Sequence, residues 1–182
     1  MTFRELELPG AFLIELDRIE DERGFFARTF CRDEFAEHGL ATEIVQANTA
    51  FNRRKGTLRG MHFQAAPHEE AKLVRCTRGA VYDVIVDLRR DSPTFTRWVS
   101  VELTVENDTM LYVPEGFAHG YQTLEDETET SYLMSQRYES SAGRGVRWDD
   151  PAFEIEWPDE GDRTLNERDR TWADFSPDAA GA

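Results

Sequence analysis

The sequence predicts an all-β protein built as a sandwich or barrel of short strands. Runs of β-branched and aromatic residues recur about every ten residues, which is the strand spacing of such folds. Turn-forming residues such as Arg78-Gly79 and Asp91-Ser92-Pro93 separate the runs. Along 82–88, Asp83 and Asp87 fall on one face and apolar residues on the other, as in a strand. We expect Asp87 to face solvent and leave the direction of Asp83 open.

Two short helices are predicted among the strands. The first is Asp33–His38, with Asp33 as its N-cap and Gly39 as its stop. The second is Asn166–Arg170, within a C-terminal extension over 149–182 that we expect to pack on the barrel. The predicted strands, in order, are Ala11–Leu16, Gly24–Cys31, Glu43–Phe51, Thr57–Gln64, Ala71–Thr77, Ala80–Leu88, Thr96–Thr104, Met110–Val113, Ala118–Thr123 and Glu129–Arg137.

Composition limits the classes of partner. The 182 residues, 40% of them apolar, suffice for one domain over 1–182 with a sizeable core. The formal net charge of -15 argues against nucleic acid or a membrane surface as partner, because the average field repels phosphate. An anionic ligand would therefore need a local basic pocket. The basic residues are almost all Arg, and Lys55 and Lys72 are the two lysines.

The cysteines and the N-terminal segment indicate the cellular compartment that we expect for the protein. Cys31 and Cys76 lie in different runs and neither belongs to a C-x-x-C motif, so we expect no disulfide and no zinc site. The chain contains no stretch of 18 apolar residues, and its first residues do not resemble a signal peptide. We therefore expect a cytoplasmic protein.

Two segments carry the residues best suited to chemistry. The segment 114–120 has the Pro-x-Gly-x-x-His spacing typical of the later motif of a cupin, and 59–64 resembles the earlier cupin motif. Metal-binding cupins place His-x-His in that earlier motif, whereas this chain has His62 followed by Gln64. Because Gln is a poor ligand and a metal needs three or four good ones, we expect no bound metal and no other cofactor.

A pocket without metal must act through its side chains. His62 can exchange protons near neutral pH. Strand alternation places it on the face opposite Met61. Arg59 and Lys72 are cations on neighbouring segments, and Tyr132 can supply a phenol. Each of these residues taken singly is more often structural than functional. Their joint occurrence in a barrel pattern favours a site, but composition does not name the reaction.

From Asp21 to Asp169 the chain resembles the dTDP-4-dehydrorhamnose 3,5-epimerase family. The resemblance implies a cupin-type jelly-roll β-barrel with a few short helices. It also implies a homodimer with exchanged N-terminal strands, drawn from about 1–55. The matching stretches, in family order, are Asp21–Phe26, Gln46-x-Asn48, Gly56–Gln64 with one variable position, Ala71–Arg75, Arg78–Val84, Asp87–Arg89, Ser92–Phe95, Pro114–Gly120, Trp148–Pro151 and Glu167–Asp169.

The resemblance also assigns roles to individual residues. His62 matches the catalytic base of the family, Asp169 the acid that pairs with it, Tyr132 the proton donor and Lys72 the cation near the ketone. Substrate-contacting positions of the family are matched by Arg23, Gln46, Asn48, Arg59, His119 and Tyr138, with Arg23 reaching the site of the partner and Tyr138 stacking on the base.

The implied reaction suits these residue types. The substrate is a nucleoside-diphosphate 4-keto-6-deoxyhexose, whose C3 and C5 hydrogens flank the ketone. Removal of either hydrogen gives an enolate that donors can stabilise, and return of a proton from the opposite face inverts the carbon. A sugar-nucleotide ketoisomerase and a non-catalytic sugar-nucleotide binding protein are alternatives. Many family members have other residues at Arg28, Ala47, Gly143 and Arg168, so the nucleotide and the hexose stay open.

Overall fold

Two antiparallel sheets face each other and enclose the interior of the protein. Residues 1–158 and 161–177 are described in a computed structural model. One sheet has the strand order β1-β2-β10-β7-β12-β5, and the other has the order β13-β6-β11-β8-β9. The strands are β1 (Thr2–Glu5), β2 (Phe12–Glu15), β3 (Ile19–Asp21), β4 (Gly24–Phe26), β5 (Gln46–Asn52), β6 (Leu58–Gln64), β7 (Lys72–Arg78), β8 (Ala80–Asp87), β9 (Trp98–Thr104), β10 (Thr109–Val113), β11 (Phe117–Thr123), β12 (Thr128–Met134) and β13 (Gly143–Gly145); the helices are α1 (Arg32–Glu37) and α2 (Glu167–Arg170).

The hydrophobic core has three parts because both sheets are covered on both faces. Between the sheets, Val74 and Leu111 of one wall pack with Ile85 and Tyr121 of the other. The outer face of the six-stranded sheet packs under α1 through Phe35 and its neighbours. The outer face of the five-stranded sheet is covered by the C-terminal segment after 149. Burial on both faces accounts for the near-continuous apolar pattern of the central strands.

The C-terminal segment is held to the barrel by apolar and polar contacts. Phe153 packs in a cluster with Val84 and Val86 on the outside of the five-stranded sheet. Gln122, which is completely buried, donates from Nε2 to the carbonyl oxygen of Pro158 at 3.1 Å and accepts from Arg163 Nε at 2.7 Å. This segment therefore forms an additional layer that carries α2 back toward β6.

The orientation predicted for Asp87 is wrong. Its side chain is completely buried and accepts hydrogen bonds from Arg89, Ser92 and Thr94. Asp83, left open by the sequence, is also completely buried. Alternation correctly separates the two faces of β8. Both faces are buried, however, because the C-terminal segment covers the apolar face with Val84 and Val86, and Asp83 and Asp87 lie on the opposite face.

Three further details differ from the sequence predictions. The N-cap of α1 is Cys31 instead of Asp33, and Asp33 lies in the first turn, where a carboxylate favours the helix dipole. The predicted strand Gly24–Cys31 ends at Phe26. The short strands β1, β3 and β13 have too few residues to give a period-2 pattern and were not predicted.

A hairpin formed by β3 and β4 projects from the barrel. Among the described strands these two pair only with each other. Ile19, Phe25 and Phe26 are 68%, 53% and 64% exposed, which is unusual for three large apolar residues so close in sequence. No helix in the described part of the chain has the length and apolar character needed to cross a membrane.

Candidate active site

A cavity of about 460 Å³ opens between the two sheets. Side chains from both walls line it, so residues far apart in sequence meet there. Eight of the ten residues singled out in the sequence contribute to this lining, and Asp169 lies directly behind one of them. The eight are Gln46, Asn48, Arg59, His62, Lys72, His119, Tyr132 and Tyr138.

His62 enters the cavity from β6 and is paired with Asp169. The distance from His62 Nε2 to Asp169 Oδ1 is 2.7 Å. Because an ionised carboxylate can only accept a hydrogen bond, Nε2 carries the proton and Nδ1 is left as the free acceptor. The Asp169 side chain is 1% exposed and the His62 side chain is 42% exposed, so the free nitrogen belongs to the accessible member of the pair.

Asp169 is fixed by its position in α2. The helix is capped by Asn166, whose side chain accepts from the Asp169 N–H at 2.7 Å, and Asp169 Oδ2 accepts from the Gly60 N–H at 3.2 Å. Burial acts to raise the pKa of Asp169, but the hydrogen bond and charge of His62 outweigh it and lower the pKa. Asp169 is therefore ionised at neutral pH and can support positive charge that develops on His62.

Glycine allows β6 and β11 to approach closely beside His62. A Cβ atom placed on Gly60 would lie 2.5 Å from Gly120 Cα, and the φ angle of Gly60 is +141°. His119 on β11 is the cross-strand partner of His62 on β6. Its Nε2 lies 2.8 Å from Asp83 Oδ1, so a second His–Asp pair stands beside the first. His119 is less accessible, with a side chain that is 10% exposed.

Lys72 is held at the start of β7. Its Nζ lies 2.9 Å from Glu70 Oε1 and donates to the carbonyl oxygen of His62 at 3.3 Å. The Lys72 side chain is 10% exposed, and both Lys72 and Glu70 line the cavity. A buried cation beside the candidate base can stabilise negative charge that develops on a bound ligand.

Tyr132 enters the cavity from β12, in the opposite sheet from His62. Its cross-strand partners are Asn48 and Val74. The phenol oxygen makes no hydrogen bond within the described part of the chain. Burial and the neighbouring Tyr121 raise the pKa of Tyr132 above its ordinary value of 10.0. Tyr132 is therefore a neutral phenol that can donate a proton at neutral pH.

Three arginines line the cavity. Arg59 is oriented by a 2.7 Å hydrogen bond from Nε to Asn52 Oδ1. Arg144 and Arg168 also line the cavity, and the Arg168 guanidinium lies 4.8 Å from the centre of the Trp172 ring. Three guanidinium groups in one cavity make a local positive field within an acidic protein, which suits a diphosphate.

Gln46 and Tyr138 are joined at the rim of the cavity, where the Tyr138 N–H donates to Gln46 Oε1. The Tyr138 ring is 55% exposed and free to stack on a flat ligand. Gln64, which stands where a metal-binding cupin has its second histidine, is used differently. Its amide donates to the carbonyl oxygens of His68 and Arg137 and accepts from the Glu139 N–H at 2.6 Å. It thereby fixes loops around the cavity.

Arg23 is not brought to this cavity by its own chain. It lies in the turn between β3 and β4, where its guanidinium pairs with Asp21 and its side chain is 85% exposed. The expectation that it reaches the site of a partner stays a prediction.

Comparison with known proteins identifies the family of this chain. Residues 5–177 match the family model described as dTDP-4-dehydrorhamnose 3,5-epimerase. The chain belongs to this family. A curated dTDP-4-dehydrorhamnose 3,5-epimerase of Sinorhizobium fredii is 43% identical over 169 residues, which is 93% of this chain and 87% of the relative.

Solved structures of related enzymes share the fold. The epimerase of Bacillus anthracis, solved with TDP and PPi bound, is 37% identical with a TM-score of 0.92, covering 96% of this chain and 99% of that one. A 3′-monoepimerase of Streptomyces bikiniensis, solved in complex with dTDP-quinovose, is 34% identical with a TM-score of 0.84, covering 90% and 83%. The cupin-type fold predicted from the sequence is thereby confirmed.

Sequence reasoning missed several residues of this epimerase-family cavity. Glu70 and Arg144 line it but were not singled out, and Arg168 was not proposed as a site residue. Glu70 lies two residues before Lys72, so alternation could have placed it on the same face. The pairing of Asp83 with His119 could not be found locally, because it depends on the register of β8 with β11.

Proposed function

We propose that this protein epimerises a nucleoside-diphosphate 4-keto-6-deoxyhexose at C3, C5 or both, by proton transfer through an enolate. The single observation that carries the proposal is the arrangement of four groups around one cavity. These are the His62–Asp169 pair, the Lys72 ammonium and the Tyr132 phenol. Membership of the epimerase family supports the same conclusion.

His62 is the base in this proposal. Hydrogens on the carbons beside a ketone are acidic because the resulting carbanion is delocalised onto oxygen. Nδ1 of His62 accepts the proton, and the ionised Asp169 stabilises the imidazolium that forms. The hydrogen bond from Nε2 to Asp169 fixes the tautomer that leaves Nδ1 available.

Lys72 stabilises the enolate, because its ammonium is held in a partly dry cavity, where a preorganised donor acts strongly on developing charge. Tyr132 then returns a proton from the other side. His62 belongs to the five-stranded wall and Tyr132 to the six-stranded wall, so the two groups approach a bound sugar from opposite directions. Removal of a proton on one face and its return on the other inverts the carbon.

The nucleotide part of the substrate is held near the rim. Arg59 and Arg168 bind the diphosphate, and Tyr138 stacks on the base. We propose dTDP as the nucleotide, because relatives with the same fold were solved with TDP or dTDP-quinovose. Gln46, Asn48 and His119 contact the sugar or the phosphates.

A homodimer completes the site in this proposal. The apolar hairpin of β3 and β4 is exposed in a single chain, and a second copy would cover it. Arg23 at the tip of the hairpin would then reach the partner's cavity. We treat 1–182 as one domain, in which about 1–55 contributes to the dimer and 149–182 is an extension on the barrel. Cytoplasmic location stays a prediction.

The decisive experiment is incubation with dTDP-4-keto-6-deoxyglucose in deuterated water, followed by NMR. Deuterium at C3 and C5 with inversion supports a double epimerase, and deuterium at one carbon supports a mono-epimerase. A shifted ketone would favour a ketoisomerase. Absence of exchange would contradict the proposal and favour a binding protein. We expect His62→Ala to abolish exchange at both carbons, because His119, the other histidine on that wall, has a side chain that is only 10% exposed and is paired with Asp83.

A further inference from the structure

Glu70 is a buried carboxylate that the proton-transfer scheme does not use. Its side chain is 4% exposed, yet it forms part of the cavity wall. Oε1 pairs with Lys72 Nζ at 2.9 Å, whereas Oε2 is buried and has no hydrogen-bond partner among the described residues. A carboxylate in such a place costs folding free energy unless its pairing compensates for lost water.

The neighbouring acidic side chains make a buried carboxylate at position 70 still more costly to the stability of the fold. Burial, together with the negative charges of Glu69 and Glu70, raises the pKa of the nearby Glu115 carboxyl. Three acidic side chains therefore share one region, and Lys72 is the cation in contact with Glu70. Stability by itself does not account for a charged residue here.

The hydrogen-bond donors of Lys72 offer a reason for a carboxylate at position 70. An ammonium group has three N–H donors in a tetrahedral arrangement. One is directed to Glu70 Oε1 and a second to the carbonyl oxygen of His62 at 3.3 Å. When two donors are fixed, the direction of the third is fixed as well. Lys72 lines the cavity, so its remaining donor is available to a ligand there.

We propose that Glu70 is a positioning residue, which aims the third donor of Lys72 at the oxygen of the substrate ketone as that oxygen becomes an enolate. This inference rests on the proposed epimerase function. Without Glu70, the flexible four-carbon stem of Lys72 would keep only its weaker contact to the His62 carbonyl. The donor would then be present in the cavity but poorly directed.

The test compares Glu70→Ala and Glu70→Gln with the wild-type enzyme in the deuterium-exchange assay. We expect Glu70→Ala to lower kcat and the exchange rates at C3 and C5 by a common factor of about 100, the loss that a misplaced catalytic group can cause. Glu70→Gln should stay within about tenfold of wild type, because its amide oxygen still accepts from Lys72 but without charge assistance. KM and the affinity for dTDP alone should change less than kcat.

Glu69→Ala is the matched control, because Glu69 makes no hydrogen bond or ion pair within the described residues. It should keep wild-type kcat. A double-mutant cycle separates positioning from a structural role. In a Lys72→Ala background, Glu70→Ala should cause no further loss of kcat. An equal further loss would show that Glu70 acts independently of Lys72 and would overturn the inference.

The remaining outcomes are also decisive. Wild-type rates in Glu70→Ala would overturn the role of Glu70 and leave the epimerase proposal intact. Absence of exchange by the wild-type enzyme would overturn the epimerase proposal and this inference with it. If Glu70→Ala does not fold, Glu70→Gln carries the test. A kcat for Glu70→Gln below that of Lys72→Ala would then contradict positioning through Lys72.

Discussion

The surroundings of Tyr132 and Asp169 move the pKa values of these two residues in opposite directions. Burial raises the pKa of the Tyr132 phenol, whereas the hydrogen bond from His62 helps lower the pKa of Asp169 despite its burial. One group is therefore kept as an acid and the other as a carboxylate over the same pH range. Such opposed environments let one site hold both a proton donor and a carboxylate that can support a protonated base.

Replacement of the phenol should separate proton removal from inversion. In Tyr132→Phe, His62 can still remove a proton and return deuterium to the same face. We expect exchange to continue while the rate of inversion falls by about 100-fold or more, the range lost with a general acid. NMR of the sugar in deuterated water measures both rates.

Tyr121→Phe is the control for that experiment. Tyr121 also lines the cavity, but its hydroxyl already accepts hydrogen bonds from Asn52 and Thr130. Inversion should persist in this variant. Full inversion by Tyr132→Phe would contradict the role of Tyr132 as the acid.

At the residue scale, the sequence shows which residues are suited to a site better than it shows which groups surround each of them. His62 and Lys72 stand out by residue type and strand face. Asp169 was linked to His62 only through the family resemblance, because 107 residues separate them. Asp87 was assigned to solvent because the apolar face of β8 was taken to be the inner one. That apolar face is instead the outer face, which the C-terminal segment covers, and alternation does not reveal such a cover.

The buried Asp87 should make the free energy of unfolding depend on pH in the acidic range. Burial alone would raise its pKa, but hydrogen bonds from Arg89, Ser92 and Thr94 lower it below the ordinary 3.8. A depressed pKa contributes stability above that ordinary value, and the contribution is lost as the pH falls through the folded-state pKa. We expect Asp87→Ala to lower the free energy of unfolding by about 3 kcal/mol at pH 7, with the difference shrinking below about pH 4.

Denaturant unfolding at fixed protein concentration and several pH values measures this effect. The exposed neighbour Asp91→Ala is the control and should change the free energy of unfolding little. An Asp87→Ala penalty that stays constant down to pH 2 would contradict the assignment.

At the scale of elements, a four-residue helix places the carboxylate that pairs with His62, the proposed base. α2 is too short to be stable alone, so its position depends on packing. Trp172, just after α2, packs against Gly145 of β13, and a Cβ atom on Gly145 would overlap the indole ring. Gly145 is in turn the cross-strand partner of His62. Packing between these elements therefore sets the distance from Asp169 to His62.

Gly145→Ala should disturb the site through this contact. The added methyl group displaces Trp172 and with it α2, so we expect kcat to fall about 100-fold. The double variant Gly145→Ala with Trp172→Ala removes the overlap and should recover part of the loss. Exchange kinetics with a circular-dichroism check on folding would measure both. Absence of any recovery would contradict this route.

Most elements were predicted within a few residues, because the central strands have strong patterns and clear turns. The pairing between β13 and β6, and the return of α2 to the barrel, could not be read from local patterns. They depend on contacts across the chain, which a single sequence does not display.

For the molecule as a whole, composition and strand spacing were enough for the all-β class, and the motifs were enough for the cupin type. The packing of the predicted extension 149–182 on the five-stranded sheet was expected only in outline, and its residues 159–160 and 178–182 lie outside the described residues. The homodimer stays a proposal.

Complementation between inactive variants tests that proposal. If the Arg23 hairpin of one subunit completes the cavity of the other, a mixed dimer of Arg23→Ala and His62→Ala contains one intact site. Co-expression should therefore restore about a quarter of wild-type activity when the subunits pair at random. Each variant alone should be strongly impaired. Mixed dimers as inactive as the His62→Ala protein would contradict an exchanged hairpin.

The return of α2 to β6 has a consequence for how activity arises during synthesis. A ribosome makes the imidazole at 62 long before it makes the carboxylate at 169. A nascent or proteolytically shortened chain that lacks the later segment carries the proposed base without the carboxylate that orients it. Competence for proton transfer is thus gained only after residue 169 has been made and α2 has packed against β6.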